Sequence, residues 1–128
     1  MSALRENAIT LLGSAVVDLQ NGDGKTVAFQ VPVGKTMVVT HVVIRSPSGS
    51  LAGGTDFDIG SGANADTWRQ TIDLSSLTAV TDYIVIPSIA AVPVKYTLEV
   101  AEAEFGILPI TGATADVTAT MDLFGYLF

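Results

Sequence analysis

Alternating apolar and polar residues, the pattern of half-buried β-strands, recur along this 128-residue chain. Turn-forming clusters of Gly, Pro, Asn, Asp and Ser separate eight such segments: 9–19, 25–32, 36–45, 55–60, 82–87, 93–100, 104–110 and 116–128. The stretch 68–77 is less regular and is predicted to hold a short helical turn. Strands with turn signals about every 8–12 residues are typical of antiparallel sandwiches. We therefore predict an all-β protein, an antiparallel β-sandwich or jelly roll of about eight strands.

Within these segments the pattern predicts which side chains point inward. The segments 25–32 and 93–100 each have one apolar face, which is expected to lie against the core. The segment 36–45 is apolar on both faces and is expected to be covered on both sides. The apolar faces are Val27, Phe29 and Val31 in 25–32, and Val94, Tyr96, Leu98 and Val100 in 93–100. In 36–45 one apolar face holds Val38, Val42 and Ile44, and the opposite one holds Met37, Val39 and Val43.

The C-terminal segment changes character along its length. Val117, Ala119, Met121 and Leu123 share one face, with Asp and Thr residues on the other. The Asp/Thr face then becomes aromatic and continues as Phe124, Tyr126 and Phe128. A strand that is apolar on both faces needs cover on both sides. We therefore predict that these three aromatic residues form an interface, either with another sheet of this chain or with another subunit.

Composition narrows the classes of function. The length suits a single domain over residues 1–128, with residues 1–8 either an arm that reaches a neighbour or a disordered start. The formal charge of −7, with six scattered Lys and Arg residues, argues against nucleic-acid binding. Cysteine is absent, which excludes disulfides and thiolate metal sites. No apolar stretch is long and unbroken enough to span a membrane. The 48% hydrophobic content is better explained by burial between subunits.

Three local patterns suggest chemistry. Asp56 and Asp58 share one strand face and could contribute to a Ca²⁺ site, although no complete ligand set is visible and both also suit outward positions of a strand. Trp68 lies in the irregular region and could stack on a sugar or plug one end of the sandwich. His41 is the chain's only histidine and lies among valines, where a packed histidine is more plausible than a general base. The turn at 21–24 is predicted to close a β-hairpin, because Asn-Gly and Asp-Gly favour positive φ.

Several segments together resemble small jelly-roll structural proteins of tailed bacteriophages. They are 31–36 leading into 38–45, then 57–60, 82–87 and the ending 122–128. The resemblance covers most of the chain from about residue 24 onward. It lies in the residue pattern of the segments and their order, without an invariant chemical motif. It implies a non-enzymatic virion component, such as a capsid decoration protein, that forms homo-oligomers, commonly trimers, and contacts a capsid or other virion protein. It implies no cofactor and no catalytic residues.

Two other functions remain open at this point. A carbohydrate-binding or receptor-binding module, such as a fibre tip, would share the fold and would need Trp68 with Tyr83 or Tyr96 exposed in a groove. A small β-sandwich enzyme would need His41 or a carboxylate pair with a strongly shifted pKa in a pocket.

Overall fold

The computed structural model describes residues 9–88 and 98–128, which contain nine β-strands and no helix. The predicted N-terminal arm and residues 93–97 of one predicted strand lie outside the described residues. The strands are β1 Thr10–Asp18, β2 Thr26–Gln30, β3 Met37–Arg45, β4 Asp56–Gly60, β5 Arg69–Ile72, β6 Tyr83–Pro87, β7 Leu98–Glu99, β8 Glu104–Thr111 and β9 Thr118–Leu127. The all-β prediction is confirmed. The ninth strand is β5, which lies where a helical turn was predicted.

The strands form two antiparallel sheets packed face to face. A five-stranded sheet has the order β1-β9-β3-β6, with β7 also paired to β3, and a four-stranded sheet has the order β2-β8-β4-β5. If the two-residue β7 is set aside, the first strand pairs with the last, the second with the second last, and so on inward. This nesting of pairs is a long antiparallel hairpin rolled into two sheets, which is the jelly-roll arrangement. The predicted fold class is therefore correct.

Apolar side chains from both sheets fill the space between them. The largest fully buried side chains include Phe57 and Ile59 of β4, Phe105 of β8, and Met121 and Leu123 of β9. The inward face predicted for the C-terminal strand is thus confirmed, and Phe57 and Ile59 lie inward, opposite the face shared by Asp56 and Asp58. Period-two alternation works in these strands because their inward positions are not interrupted by a bulge.

Strand β3 does not keep the predicted faces. The side chains of Met37 and Val39 are buried, and so are those of Val42 and Ile44, although an uninterrupted strand would put the two pairs on opposite faces. The reason is a β-bulge between Val39 and His41 in the pairing with β9. One extra residue switches the inward set to the other parity. One face of β3 lies in the core, and the other, with Val38, His41 and Val43, is not covered by the described part of this chain.

Three further expectations are corrected. The turn at 21–24 does not close a hairpin, because β1 and β2 belong to different sheets. In β2, Val27 is 40% exposed at a second bulge, whereas Val31 is buried as predicted. In the 93–100 segment the faces are reversed at its described end: Leu98 and Val100 are exposed, while Glu99 is only 3% exposed.

Candidate functional site

The side of the five-stranded sheet that points away from the core, here called the outer face, carries most of the exposed apolar strand residues. Strand register places its side chains in cross-strand rows, because directly opposed residues share a face. The rows are Leu98, Val38 and Tyr126; Pro87, His41, Phe124 and Leu11; Val85, Val43, Asp122 and Ser14; Tyr83, Arg45, Thr120 and Val16; and Thr118 with Asp18. Leu11, Val16, Tyr83, Val85 and Leu98 are each more than half exposed.

Phe124 and Tyr126, two of the three predicted interface residues, lie in the rows of the outer face. Phe124 stacks on His41, with ring centroids 4.6 Å apart and an interplanar angle of 3°. Tyr126 stacks on Phe128 at 6.2 Å, and Phe128 is 60% exposed. The C-terminal residue is not free, because Phe128 exchanges backbone hydrogen bonds of 2.9 and 3.1 Å with Thr36. The aromatic residues are therefore held in place and present part of their rings to the outside.

A polar cluster interrupts the apolar rows. Asp122 accepts hydrogen bonds from the Arg45 Nε at 2.7 Å and from the Ser14 hydroxyl at 2.6 Å. Burial works to raise the pKa of Asp122, but the hydrogen bonds from Arg45 and Ser14 and the charge of Arg45 outweigh it. The pKa of this carboxyl is therefore lower than its ordinary value. The Asp122 side chain is 11% exposed and that of Arg45 is 47% exposed, so the guanidinium reaches the surface.

The outer face is poor in charge for a chain with a net charge of −7. Its rows contain the carboxylates of Asp18 and Asp122, and Arg45 pairs with the second of them. Strand spacing of about 4.8 Å and a rise of about 3.4 Å per residue make it roughly 20 by 30 Å, on the order of 600 Å². A stable complex buries about 800 Å² on each partner. The outer face is thus close to the size of a standard interface.

Sequence reasoning identified only the C-terminal part of this surface. Leu11, Val16, Tyr83, Val85 and Leu98 were not predicted to belong to it, because the strand order that places them beside Phe124 and Tyr126 cannot be deduced from periodicity. A usable signal was present in 82–87, whose apolar residues occupy both faces of a strand.

Trp68 lies in the core. This position agrees with a structural role inside the sandwich rather than with stacking on a sugar. Its side chain is 6% exposed and its indole Nε1 donates a 2.9 Å hydrogen bond to the carbonyl of Val39. It also meets Phe105 edge to face, with ring centroids 6.3 Å apart. A buried ring has no open face for a sugar, so the suggested ligand-binding role is not supported. Tyr83 remains exposed, and Tyr96 lies outside the described residues.

Asp56 and Asp58 are both partly exposed on the side of β4 opposite the buried Phe57 and Ile59. The Oδ1 of Asp58 accepts a 3.0 Å hydrogen bond from the backbone N–H of Thr71. Within residues 9–88 and 98–128, no three His, Cys, Asp or Glu side chains gather in a way that could hold a metal ion. Among those residues the carboxylate pair therefore has no third acidic or imidazole side chain beside it.

His41 contacts the ring of Phe124, and its Nδ1 lies 3.1 Å from the Thr40 hydroxyl. Thr40 in turn donates to the carbonyl of Phe124 at 3.1 Å. This packing resembles a structural position more than that of a proton shuttle, which would be oriented by a carboxylate.

A buried carboxylate at one end of the sandwich escaped prediction. Glu99 accepts hydrogen bonds from the hydroxyls of Ser61 at 2.6 Å and Thr67 at 2.7 Å. Nearby, the Lys25 ammonium donates to the carbonyls of Gly62 and Glu104. Burial lowers the pKa of Lys25 against the opposing attraction of Glu104 and Glu99. Because β7 belongs to the five-stranded sheet and Ser61 follows β4, Glu99 links the two sheets.

Among the described residues there is no helix with the length and apolar character needed to cross a membrane. No protein-family model, curated protein or solved structure matches the chain.

Proposed function

We propose that this chain is a non-enzymatic structural protein of a phage virion, specifically a capsid decoration protein that forms homo-oligomers through its outer face. The observation that supports this proposal is the outer face itself, which carries most of the exposed apolar strand residues and is nearly free of net charge on a chain of charge −7. Exposed apolar surfaces of several hundred Å² usually mark contacts with other proteins. The resemblance to phage jelly-roll proteins supplies the biological setting.

The mechanism would be mechanical. Aromatic and branched side chains in adjacent rows would be buried against a neighbouring copy or the capsid. Each Å² of apolar surface removed from water contributes about 25 cal/mol, before the costs of association are subtracted. Many copies on one particle would add this contact energy at each site and so resist expansion or rupture of the shell.

Light scattering tests the assembly part of this proposal. We expect the purified protein to have a mass above that of the 13.3 kDa monomer. Val85→Lys introduces an ammonium into the outer face at a position that is 51% exposed in the isolated chain. Because a buried, unpaired charge is strongly unfavourable, we expect a rise of at least about tenfold in the dissociation constant of the outer-face contact.

A matched control separates the outer face from the rest of the surface. Ile110→Lys makes an equivalent change in β8 of the other sheet, at a position that is 49% exposed. It should leave the mass unchanged. A monomer at all concentrations, or equal effects of the two substitutions, would contradict assembly through the outer face. Substitutions are preferable to deleting residues 124–128, because β9 lies between β1 and β3 and the deletion would remove part of a central strand.

The virion role needs its own measurement. Mass spectrometry of purified phage particles should find the chain in a fixed, high copy number, and particles that lack it should break open at a lower temperature. Virions without any copy of the chain would contradict the decoration role, whatever the solution mass.

A further inference from the structure

The four edges of the two sheets differ in how they are protected against pairing with another chain. Edge strands are usually protected by short length, charged side chains, proline or bulges. On the four-stranded sheet, β2 has five residues and a bulge beside Val27. Strand β5 has four residues and contains both Arg69 and Thr71, whose φ is +56°. Both edges of this sheet are therefore poor templates.

On the five-stranded sheet, only one edge is protected in this way. Strand β6 ends at Pro87, and the Arg69 Nη1 donates to the Pro87 carbonyl at 3.1 Å. Strand β1 is nine residues long, contains no Lys, Arg or Pro, and is paired in the described part of the chain with β9 alone. Its bulge lies near its start, between Leu11 and Gly13, so residues 14–18 run regularly.

Backbone hydrogen bonds show which groups of β1 point toward the free edge. The N–H of Leu19 bonds the Val117 carbonyl at 3.1 Å, on the β9 side. The N–H of Asp18 instead bonds the Thr26 hydroxyl at 3.1 Å, away from β9. Because N–H directions alternate along a strand, those of Val16 and Ser14 also point away from β9. Two consecutive outward positions are thus available for a further strand.

We infer that β1 pairs antiparallel with β1 of a second copy of this chain about a two-fold axis, so that the five-stranded sheet continues from one copy into the other. The inference extends the proposed function, because the outer faces of both copies would point the same way and form one surface of twice the area. It specifies an even number of copies, whereas the phage resemblance implies trimers.

Between the two possible orientations of a second copy, charge favours the antiparallel one. The only ionisable side chain of β1 is Asp18, at its C-terminal end. In an antiparallel pair centred on Ala15, the two Asp18 residues would be roughly 20 Å apart, beyond the Debye length of about 8 Å at physiological ionic strength. A parallel pair would place them side by side. In this register Val16 of one copy would lie opposite Ser14 of the other, so that two rows of the outer face would continue across the junction.

Light scattering in the Val85→Lys background isolates the edge contact from the outer-face contact. We expect the single variant Val85→Lys to be a dimer. The double variant that also carries Val16→Pro should be a monomer, because proline removes an outward N–H from β1. Tyr83→Pro in the same background is the control, since it removes an outward N–H from β6, and it should remain dimeric. A monomeric Val85→Lys protein would overturn the inference while leaving outer-face assembly intact.

Amide hydrogen exchange on the unmodified protein gives an independent readout that needs no proline substitution. In a paired edge, the amides of Ser14 and Val16 should exchange at least about 100-fold more slowly than in an open strand, and the protection should fall on dilution. Unprotected amides, or protection that persists in a monomer, would overturn the inference. A Val85→Lys dimer with the same mass as the unmodified protein and protected amides would support edge pairing and contradict the outer-face contact instead.

Discussion

At the scale of single residues, Glu99 shows how a charged side chain can hold the two sheets together. Its carboxylate is 3% exposed and accepts hydrogen bonds from two hydroxyls of the loop that follows β4. Hydrogen bonds to charged groups are stronger than those between neutral groups. A local pattern could not predict this position, because strict alternation places Glu99 on the polar face of its segment.

Replacing Glu99 tests this role. We expect Glu99→Ala to lower the free energy of unfolding by about 1–3 kcal/mol, because the buried hydroxyl of Ser61 and the more exposed hydroxyl of Thr67 both lose their acceptor. Glu99→Gln retains one acceptor oxygen and should lose less. Urea denaturation measures both, with Asp116→Ala, at an exposed position outside this cluster, as control. Equal stability of Glu99→Ala and the control would show that the hydroxyls find other partners.

Asp122 makes stability depend on pH. Its pKa in the folded protein is lower than the ordinary value of 3.8, so folding favours the ionised form. The resulting stabilisation is fully present above the unfolded pKa and is lost as the pH falls through the folded pKa. Asp122→Asn should therefore flatten the loss of stability below about pH 4. Unfolding measured between about pH 6 and pH 2 checks this, and an equal slope for Asp122→Asn and the unmodified protein would contradict it.

At the scale of elements, bulges decide where sequence prediction succeeds. Alternation gave the correct inward faces for β4 and β9, where the inward residues are regularly spaced. It failed in β3 and at Val27 in β2, where one extra residue changes the parity. A bulge is fixed by pairing with a distant strand, and the sequence of one strand does not reveal it. The position of each strand in its sheet also cannot be deduced from local sequence. The prediction of a hairpin at 21–24 was therefore wrong, because the strands on either side belong to different sheets.

Gly125 is predicted to be essential to the β3 bulge. A Cβ at this position would collide with the carbonyl oxygen of Val38. Gly125→Ala should therefore lower the free energy of unfolding by about 1–3 kcal/mol, because the pairing of β3 with β9 must shift. Gly24→Ala is the control, since a Cβ there would meet nothing within 4 Å. The midpoints of urea denaturation of the two variants provide the comparison, and similar midpoints would refute the role of Gly125.

At the scale of the whole molecule, charge is distributed unevenly. The chain carries −7 overall, yet the outer face and the β1 edge contribute little of it. Copies that associate through these surfaces still repel one another at longer range. These weakly charged surfaces could not be located from composition, because only the strand order brings their residues together.

Salt should therefore strengthen self-association. Raising ionic strength from about 0.01 M to 0.15 M shortens the Debye length from about 30 Å to about 8 Å, which screens repulsion between like-charged copies. We expect the dissociation constant measured by sedimentation to fall over this range. A rise would indicate that attraction between opposite charges, and not apolar contact, holds the copies together.

The nested pairing of strands also sets the timing of folding. Within the described residues strand β1 pairs with β9 alone, and the Ser14 hydroxyl hydrogen-bonds Asp122, which lies 108 positions further along the chain. During synthesis both edges of β1 therefore stay unpaired until nearly all of the described chain has left the ribosome. Folding dominated by such distant contacts takes milliseconds to seconds. Over that interval chaperone capture and aggregation compete for β1, so the yield of native protein should depend on how quickly β9 arrives.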